Sequence, residues 1–253
     1  MKLDGKIGLV VGVANDHSIA AGCAAAFADE GATLVLTYLD QRALKYVDPI
    51  AKAVGADLLL PLNLSNPGEL EQVFDQIAEH YGKLDFLLHS VAFCPKDDLH
   101  GRVTDCSQEG FALAMDISCH SFLRMARLAE PLMEDGGSLI TVSYYGAEKV
   151  VDHYNIMGPV KAALEASSRY MAAELGPKGI RVNVVSPGPI ATRAAGGIDH
   201  FDDLVRDAVE FSPERRLVTI EEVGAVAAFL ASDAASGVTG TLTHVDGGRH
   251  VRM

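Results

Sequence analysis

Apolar and polar residues along the chain alternate between two rhythms. Short, mainly apolar runs occur at Ile7–Val11 (IGLVV), Thr33–Thr37, Asp57–Leu60, Leu84–Leu88, Ser138–Val142, Ile180–Val185 and Gly240–Val245. Runs of this length with no polar alternation suit strands buried on both faces of a parallel sheet. Between them lie longer segments that read as helices. One begins at Ser18 and is closed by Gly31; others span Gln41–Val54, Pro67–His80, Ser107–Met133, a stretch that carries Lys161, and Ile220–Leu230. No repeat, low-complexity stretch or break in composition interrupts this order. It predicts one α/β domain over residues 1–253, a Rossmann-like doubly wound parallel sheet of about seven strands flanked by helices. Residues 187–211 fall outside the rhythm. They are rich in Gly, Ala and charge, and predict a small substrate-binding lid.

Composition narrows the function classes. The net charge is -13 and no Lys/Arg run stands out, so the footprint of a nucleic-acid binder is missing. No apolar stretch approaches the ~18 residues of a membrane span. The opening residues, MKLDGKIGLVVGVAND, run straight into a glycine turn, so they read as a first strand rather than an export signal. Cys23, Cys94, Cys106 and Cys119 have no metal-type spacing and read as reduced thiols of a cytoplasmic protein.

Open parallel sheets bind ligands beyond the carboxyl ends of their strands, and four such ends carry chemistry here. After the first strand come Gly12, Ser18 and Gly22. A glycine turn leading into a helix lets backbone N–H groups meet a pyrophosphate; Ser18 as a simple helix cap is the competing reading. After the second strand, Asp40 suits a free ribose 2′-hydroxyl and repels a 2′-phosphate. It favours NADH over NADPH, with Arg42 close enough to oppose it. After the fourth strand, His89 reads as a satisfied structural histidine. Cys94 lies in the same crevice without a cation in the adjacent sequence to lower its pKa. After the fifth strand come Tyr144, Tyr154 and Lys161. Tyr154 and Lys161 are seven positions apart, so on one helix they would share a face with Cα atoms roughly 10 Å apart along the axis. Pro159 is tolerated only in a first turn, which predicts a helix start near Tyr154 or Asn155.

On these residues the chain resembles the short-chain dehydrogenase/reductase superfamily over essentially its full length. The late segments RVNVVSPGPIAT (Arg181–Thr192) and HVDGG (His244–Gly248) carry part of the likeness. Within the superfamily it is similar to one branch, the bacterial enoyl-acyl-carrier-protein reductases. Gly12, Ser18, Ala20 and Gly22 follow that branch's G-x5-S-x-A-x-G, and Tyr154 with Lys161 follows its Tyr-x6-Lys. Gly158 stands where an ordinary member has its lysine. Tyr144 matches the branch's extra tyrosine, and His89–Pro95 its HSxxFxP. The ordinary NNAG segment and helix-borne asparagine are replaced by HSVAF and MDISCHSF.

The resemblance implies reduction of the 2,3 double bond of trans-2-enoyl thioesters with hydride from NADH in fatty acid elongation. It implies Tyr144, Tyr154 and Lys161 as catalytic residues. It implies Gly12, Ser18, Ile19, Asp40, Asn63, Leu64, Val91, Lys161, Ile190, Thr192 and Ala194 around the NAD. Ala92, Cys94, Tyr144, Tyr154 and Met157 are implied at the substrate. It implies no metal, a homotetramer, and an acyl thioester substrate on acyl carrier protein. One departure bears on the carrier. The lid reads Asp199, His200, Phe201, Asp202, Asp203, flanked by Arg193 and Arg206, where basic residues would suit an acidic carrier protein. Docking through Arg215 and Arg216, or coenzyme A as the acyl carrier, are the alternatives. A carbonyl reductase of the same superfamily and a non-catalytic dinucleotide sensor are the competing functions.

Overall fold

In a computed structural model, the structure describes residues 2–192, 195–197 and 199–252. The strands are β1 (Ile7–Val11), β2 (Thr33–Tyr38), β3 (Leu58–Pro61), β4 (Phe86–His89), β5 (Gly137–Val142), β6 (Ile180–Pro187) and β7 (Leu242–Val245). The helices are α1 (Ile19–Asp29), α2 (Gln41–Ala53), α3 (Glu69–Tyr81), α4 (Lys96–His100), α5 (Gln108–Met115), α6 (Ser121–Ala129), α7 (Met157–Leu175), α8 (Phe201–Phe211) and α9 (Ile220–Ala231). The strands form one sheet in the order β3-β2-β1-β4-β5-β6-β7. Every pairing is parallel, which requires a crossover between each pair of neighbours. The order reverses between β1 and β4, and such a switch point opens a crevice at the carboxyl ends of the strands.

Successive residues of a strand face opposite sides of the sheet, so the apolar runs feed two cores. Leu9, Val11, Leu87 and Leu139 pack with Phe74, Phe122, Met125 and Leu164 on one side. Val10, Leu34, Leu36 and Ile140 pack with Phe27, Val223 and Leu230 on the other. Here α1 and α9 meet almost backbone to backbone. A Cβ on Gly22 would lie 2.5 Å from the Ile220 carbonyl oxygen, and one on Gly224 would lie 2.5 Å from that of Gly22. Gly22 of the amino-terminal motif is therefore a packing residue. α9 starts in a reciprocal cap between Thr219 and Glu222.

The predicted alternation is present, with differences at particular places. The long helix expected over Ser107–Met133 is interrupted by a π-helical turn at Asp116–His120. The helix bearing Lys161 begins at Met157, placing Pro159 in its first turn. Tyr154 precedes it, between His153 and Asn155, both in left-handed backbone (φ 64° and 45°). The helical two-turn relation of Tyr154 to Lys161 is thus corrected: Tyr154 lies in a turn ahead of the helix. Residues 187–211 continue β6 to Pro187 and then form a short 3-10 turn (Ala195–Gly197) and α8. Among the described residues, no helix is long and apolar enough to cross a membrane.

Candidate active site

The carboxyl ends of β1, β2, β4, β5 and β6 surround a cleft of about 960 Å³. Of the residues expected there, Ile19, Asp40, Val91, Ala92, Cys94, Tyr144, Tyr154, Met157, Lys161, Ile190 and Thr192 line it. Gly12 and Ser18 shape the turn beneath without lining the cleft. Gly12 has φ +110°, and a Cβ there would lie 2.1 Å from the Ser90 carbonyl oxygen, so only glycine lets β1 and β4 end this close together. Ser18 occupies the cap position of α1, but its side chain does not cap the helix. Its hydroxyl donates to the Asn15 carbonyl at 2.6 Å and closes the turn instead. The first N–H groups of α1 are thereby left for an anionic ligand. Asn63 and Leu64 lie beyond β3, outside the cleft lining. Asn63 accepts from the Ser65 N–H at 3.0 Å, and Leu64 belongs to the core. Ala194 lies outside the described residues.

At the far end of the cleft, Asp40 caps α2, one oxygen accepting from the Ala43 N–H at 2.8 Å. Leu39, Arg42, Lys45 and Tyr46 line the wall around it. The Lys45 ammonium lies over the Tyr46 ring, 4.7 Å from its centroid. Lys45 and Tyr46 escaped the sequence reading, since an amphipathic surface helix gives no sign of which polar residue faces a cleft.

His89 is fully buried at the end of β4. Its Nδ1 lies 2.8 Å from Thr141 Oγ1 and its Nε2 2.8 Å from Ser121 Oγ. The Ser121 hydroxyl donates to the Ile117 carbonyl at 2.6 Å. It therefore accepts from His89 Nε2–H, while the single Thr141 hydroxyl proton is shared between His89 Nδ1 and the His89 carbonyl, 3.2 Å away. Burial, then the Lys161 charge, drive the imidazole pKa down to about 3. The expected structural histidine is present in this form. The loop beyond it is pinned by Ser118, which accepts from the Phe93 N–H at 2.9 Å and donates to the Phe93 carbonyl at 3.0 Å. Burial, followed by the Asp98 charge, pushes the Cys94 thiol up to about 11, so it is not a poised nucleophile. All four cysteines are free thiols.

Tyr144 and Tyr154 meet edge to face with ring centroids 4.8 Å apart. Burial raises the Tyr144 phenol to about 12. Burial, then Tyr144 and Glu165, push Tyr154 higher still. Both remain protonated donors at neutral pH. Lys161 is buried in the wall of the same cleft, its ammonium donating to the Val142 carbonyl at 2.7 Å. Two of its three N–H groups remain for a ligand. Burial lowers its pKa to about 8, opposed by Cys119 and Glu165. One turn along α7, the buried Glu165 accepts a hydrogen bond from Ser143. Burial raises its pKa, against the opposing effect of that bond. Glu165 was not singled out in the sequence, although a carboxylate on the apolar face of KAALEASS is a visible break in pattern.

Helix α8 lines the cleft with Phe201 and Leu204. Its approach is tied to α4, where His100 Nε2 donates to the Gly197 carbonyl at 2.8 Å. The His153 and His200 rings stack at 4.6 Å. Arg206 is engaged by Asp203, and Arg216 by Glu214 and Glu222, so two of the candidate docking cations are already neutralised.

The arrangement supplies a glycine turn at a helix amino end, a buried ammonium and two phenolic donors around one cleft. A family model described as Enoyl-(Acyl carrier protein) reductase matches residues 12–250. The chain is 48% identical to enoyl-[acyl-carrier-protein] reductase [NADH] 1 of Rhizobium meliloti, across 98% of this chain and 91% of that protein. Among solved structures, the Anaplasma phagocytophilum enoyl-acyl-carrier-protein reductase in complex with NAD superposes with TM-score 0.95 at 48% identity, covering 99% of this chain and 96% of that one. The Bacillus cereus enoyl-acyl-carrier-protein reductase, solved with NADP+ and indole naphthyridinone, superposes with TM-score 0.96 at 44% identity, covering 99% of each.

Proposed function

The chain belongs to the enoyl-acyl-carrier-protein reductases, NADH-dependent oxidoreductases acting on a CH–CH bond, and from that premise we propose how its own residues carry the reaction. When bound, NADH would supply the hydride for the β carbon of a trans-2-enoyl thioester, and a proton from solvent would complete the reduction at the α carbon. As the hydride arrives, negative charge develops on the thioester oxygen. A phenol O–H aimed at that oxygen stabilises the transition state more than the ground state. The observation that carries the assignment is the edge-to-face pair of protonated phenols lining one cleft with the buried Lys161. Tyr154, the more buried phenol, donates to the developing oxyanion. Tyr144 supports the substrate beside it. Lys161 holds the ribose hydroxyls with its two remaining N–H groups, and its charge favours the electron-rich transition state. Gly12, Ser18 and the amino end of α1 receive the pyrophosphate, Asp40 the adenosine ribose, and Ile190 and Thr192 the nicotinamide side. Ala92, Cys94 and Met157 line the acyl path, and residues 187–211 cover it.

The acyl group arrives on acyl carrier protein, and the enzyme works as a cytoplasmic homotetramer, as the family resemblance implies. Free thiols fit a reducing compartment.

Tyr154→Phe is expected to lower kcat about a hundredfold with NADH affinity nearly intact, because it removes one oxyanion donor. Lys161→Ala is expected to weaken NADH binding first. Stopped-flow turnover of a crotonyl thioester, with fluorescence titration of NADH, measures both. Undiminished turnover of the Tyr154 variant would remove that residue from its role.

A further inference from the structure

We propose that Glu148 and His244 are positioning residues which lock the loop bearing Tyr144 onto β7 and so set its phenol for turnover. The proposal rests on the substrate-side role given to Tyr144 above.

Between the end of β5 at Val142 and the start of α7 at Met157 the chain makes only one short 3-10 turn, Tyr145–Ala147. Both phenols lie in this excursion. Burial cannot hold its middle, since Val150 is 98% exposed. The first half is a small rigid unit. The Ala147 N–H donates to the Tyr144 carbonyl at 2.9 Å, and the Glu148 N–H to the Tyr145 carbonyl at 3.0 Å. Whatever fixes the Glu148 side chain therefore fixes Tyr144. Its carboxylate lies 3.1 Å from His244 Nε2 on β7.

His244 is built to hold still. Its side chain is 13% exposed, and burial, then the neighbouring His250, hold its pKa below the usual imidazole range. The neutral ring places its single proton on Nε2, toward Glu148, and leaves the buried Nδ1 without a protein partner. The His250 ring covers it, stacked at 3.8 Å between centroids and 10° from parallel. His250 is anchored in turn, with Nδ1 2.9 and 3.0 Å from the two carboxylate oxygens of Asp246. Asp246 also accepts from the Gly248 and His250 N–H groups. Turning His244 away from Glu148 means unstacking a ring that Asp246 holds in place.

His244, Asp246 and His250 also bring donor atoms within 4.8 Å of one another, a spacing that would suit a cation. The stacking opposes that use. An imidazole lone pair lies in its ring plane, and two nearly parallel planes do not meet at one ion. The carboxylate clamp accounts for the arrangement as it stands.

A double-mutant cycle tests the proposal. The Glu148 side chain is 38% exposed and belongs to none of the hydrophobic cores, so Glu148→Ala is expected to leave the fold intact. It is expected to lower kcat about tenfold with NADH affinity unchanged, a modest misplacement of a substrate contact. Glu148→Gln, which keeps an acceptor for His244, is expected to stay within about twofold of the parent. In a Tyr144→Phe background, Glu148→Ala is expected to change kcat by less than about twofold. Parental kcat in Glu148→Ala would overturn the proposal. So would an equal loss in both backgrounds. If Tyr144→Phe alone keeps the parental kcat, the role of Tyr144 falls first and the proposal falls with it.

Discussion

His89 offers a quantitative test of the interior of the cleft. Its imidazole is fully buried among Thr141, Ser121 and Phe122, with the Lys161 charge nearby. The folded-state pKa of about 3 lies well below the 6.5 of a free imidazole. Protonation therefore favours the unfolded chain. The stability contributed by the neutral ring is complete above pH 6.5 and is lost as pH falls toward 3. Each pH unit inside that window costs about 1.4 kcal/mol, so between pH 7 and pH 5 the loss attributable to His89 is about 2 kcal/mol. Full burial means that no discount for solvent screening applies. His89→Gln removes the titration while retaining hydrogen-bonding capacity. Urea unfolding of both proteins at pH 7, 6 and 5, at fixed protein concentration, isolates the term as the change in their stability difference. The variant's own destabilisation cancels in that comparison. The difference is expected to shrink by about 2 kcal/mol from pH 7 to pH 5. A difference constant within about 0.5 kcal/mol would refute the buried neutral ring. Nitrogen NMR should also show the Nε2–H tautomer unchanged at pH 5.

Cofactor choice is tested at Asp40. Because it also caps α2, Asp40→Asn is a cleaner change than truncation, since asparagine caps equally well. The ratio of NADPH to NADH efficiency is expected to rise roughly tenfold, the ~1.4 kcal/mol of a partly solvated charge repulsion. An unchanged ratio would pass the choice to Arg42, Lys45 or the backbone. If α8 closes over the acyl path, hydrogen exchange across Phe201–Phe211 slows when NADH and a non-reducible acyl thioester are both bound. Equal, strong protection with and without ligands would make α8 a fixed wall.

The strands and their order of alternation were legible because a doubly covered strand must be apolar at nearly every position, whatever its neighbours. That Tyr144, Tyr154 and Lys161 gather at one cleft was legible from their place after a strand end. Their relation in space was not. The left-handed backbone at His153 and Asn155 puts Tyr154 ahead of the helix, and Asn155 is held by a bond to the Leu99 carbonyl at 2.7 Å, a contact distant in sequence. Gly22 reads as part of a phosphate turn, yet the nearby backbone that demands glycine belongs to α9. Ser18 sits at a cap position and looks like a cap, but the geometry of Asn15 diverts its hydroxyl. Local pattern carries propensity and burial; it does not carry the partner that decides between two local options.

The π-helical turn at Asp116–His120 sets the phase of everything that follows it. It adds one residue to a helical circuit that carries two inward serines, Ser118 within the turn, directed to the Phe93 loop, and Ser121 directly after it, directed to His89. An uninterrupted α-helix would displace the second relative to the first by about 100°. The segment therefore tolerates changes of letter better than changes of length. Losing a single residue here would leave the helix continuous and well formed, yet it would rotate Ser121 and Phe122 off their partners. In a lineage of this protein, insertions and deletions would be filtered from this turn more severely than substitutions, even at its exposed positions.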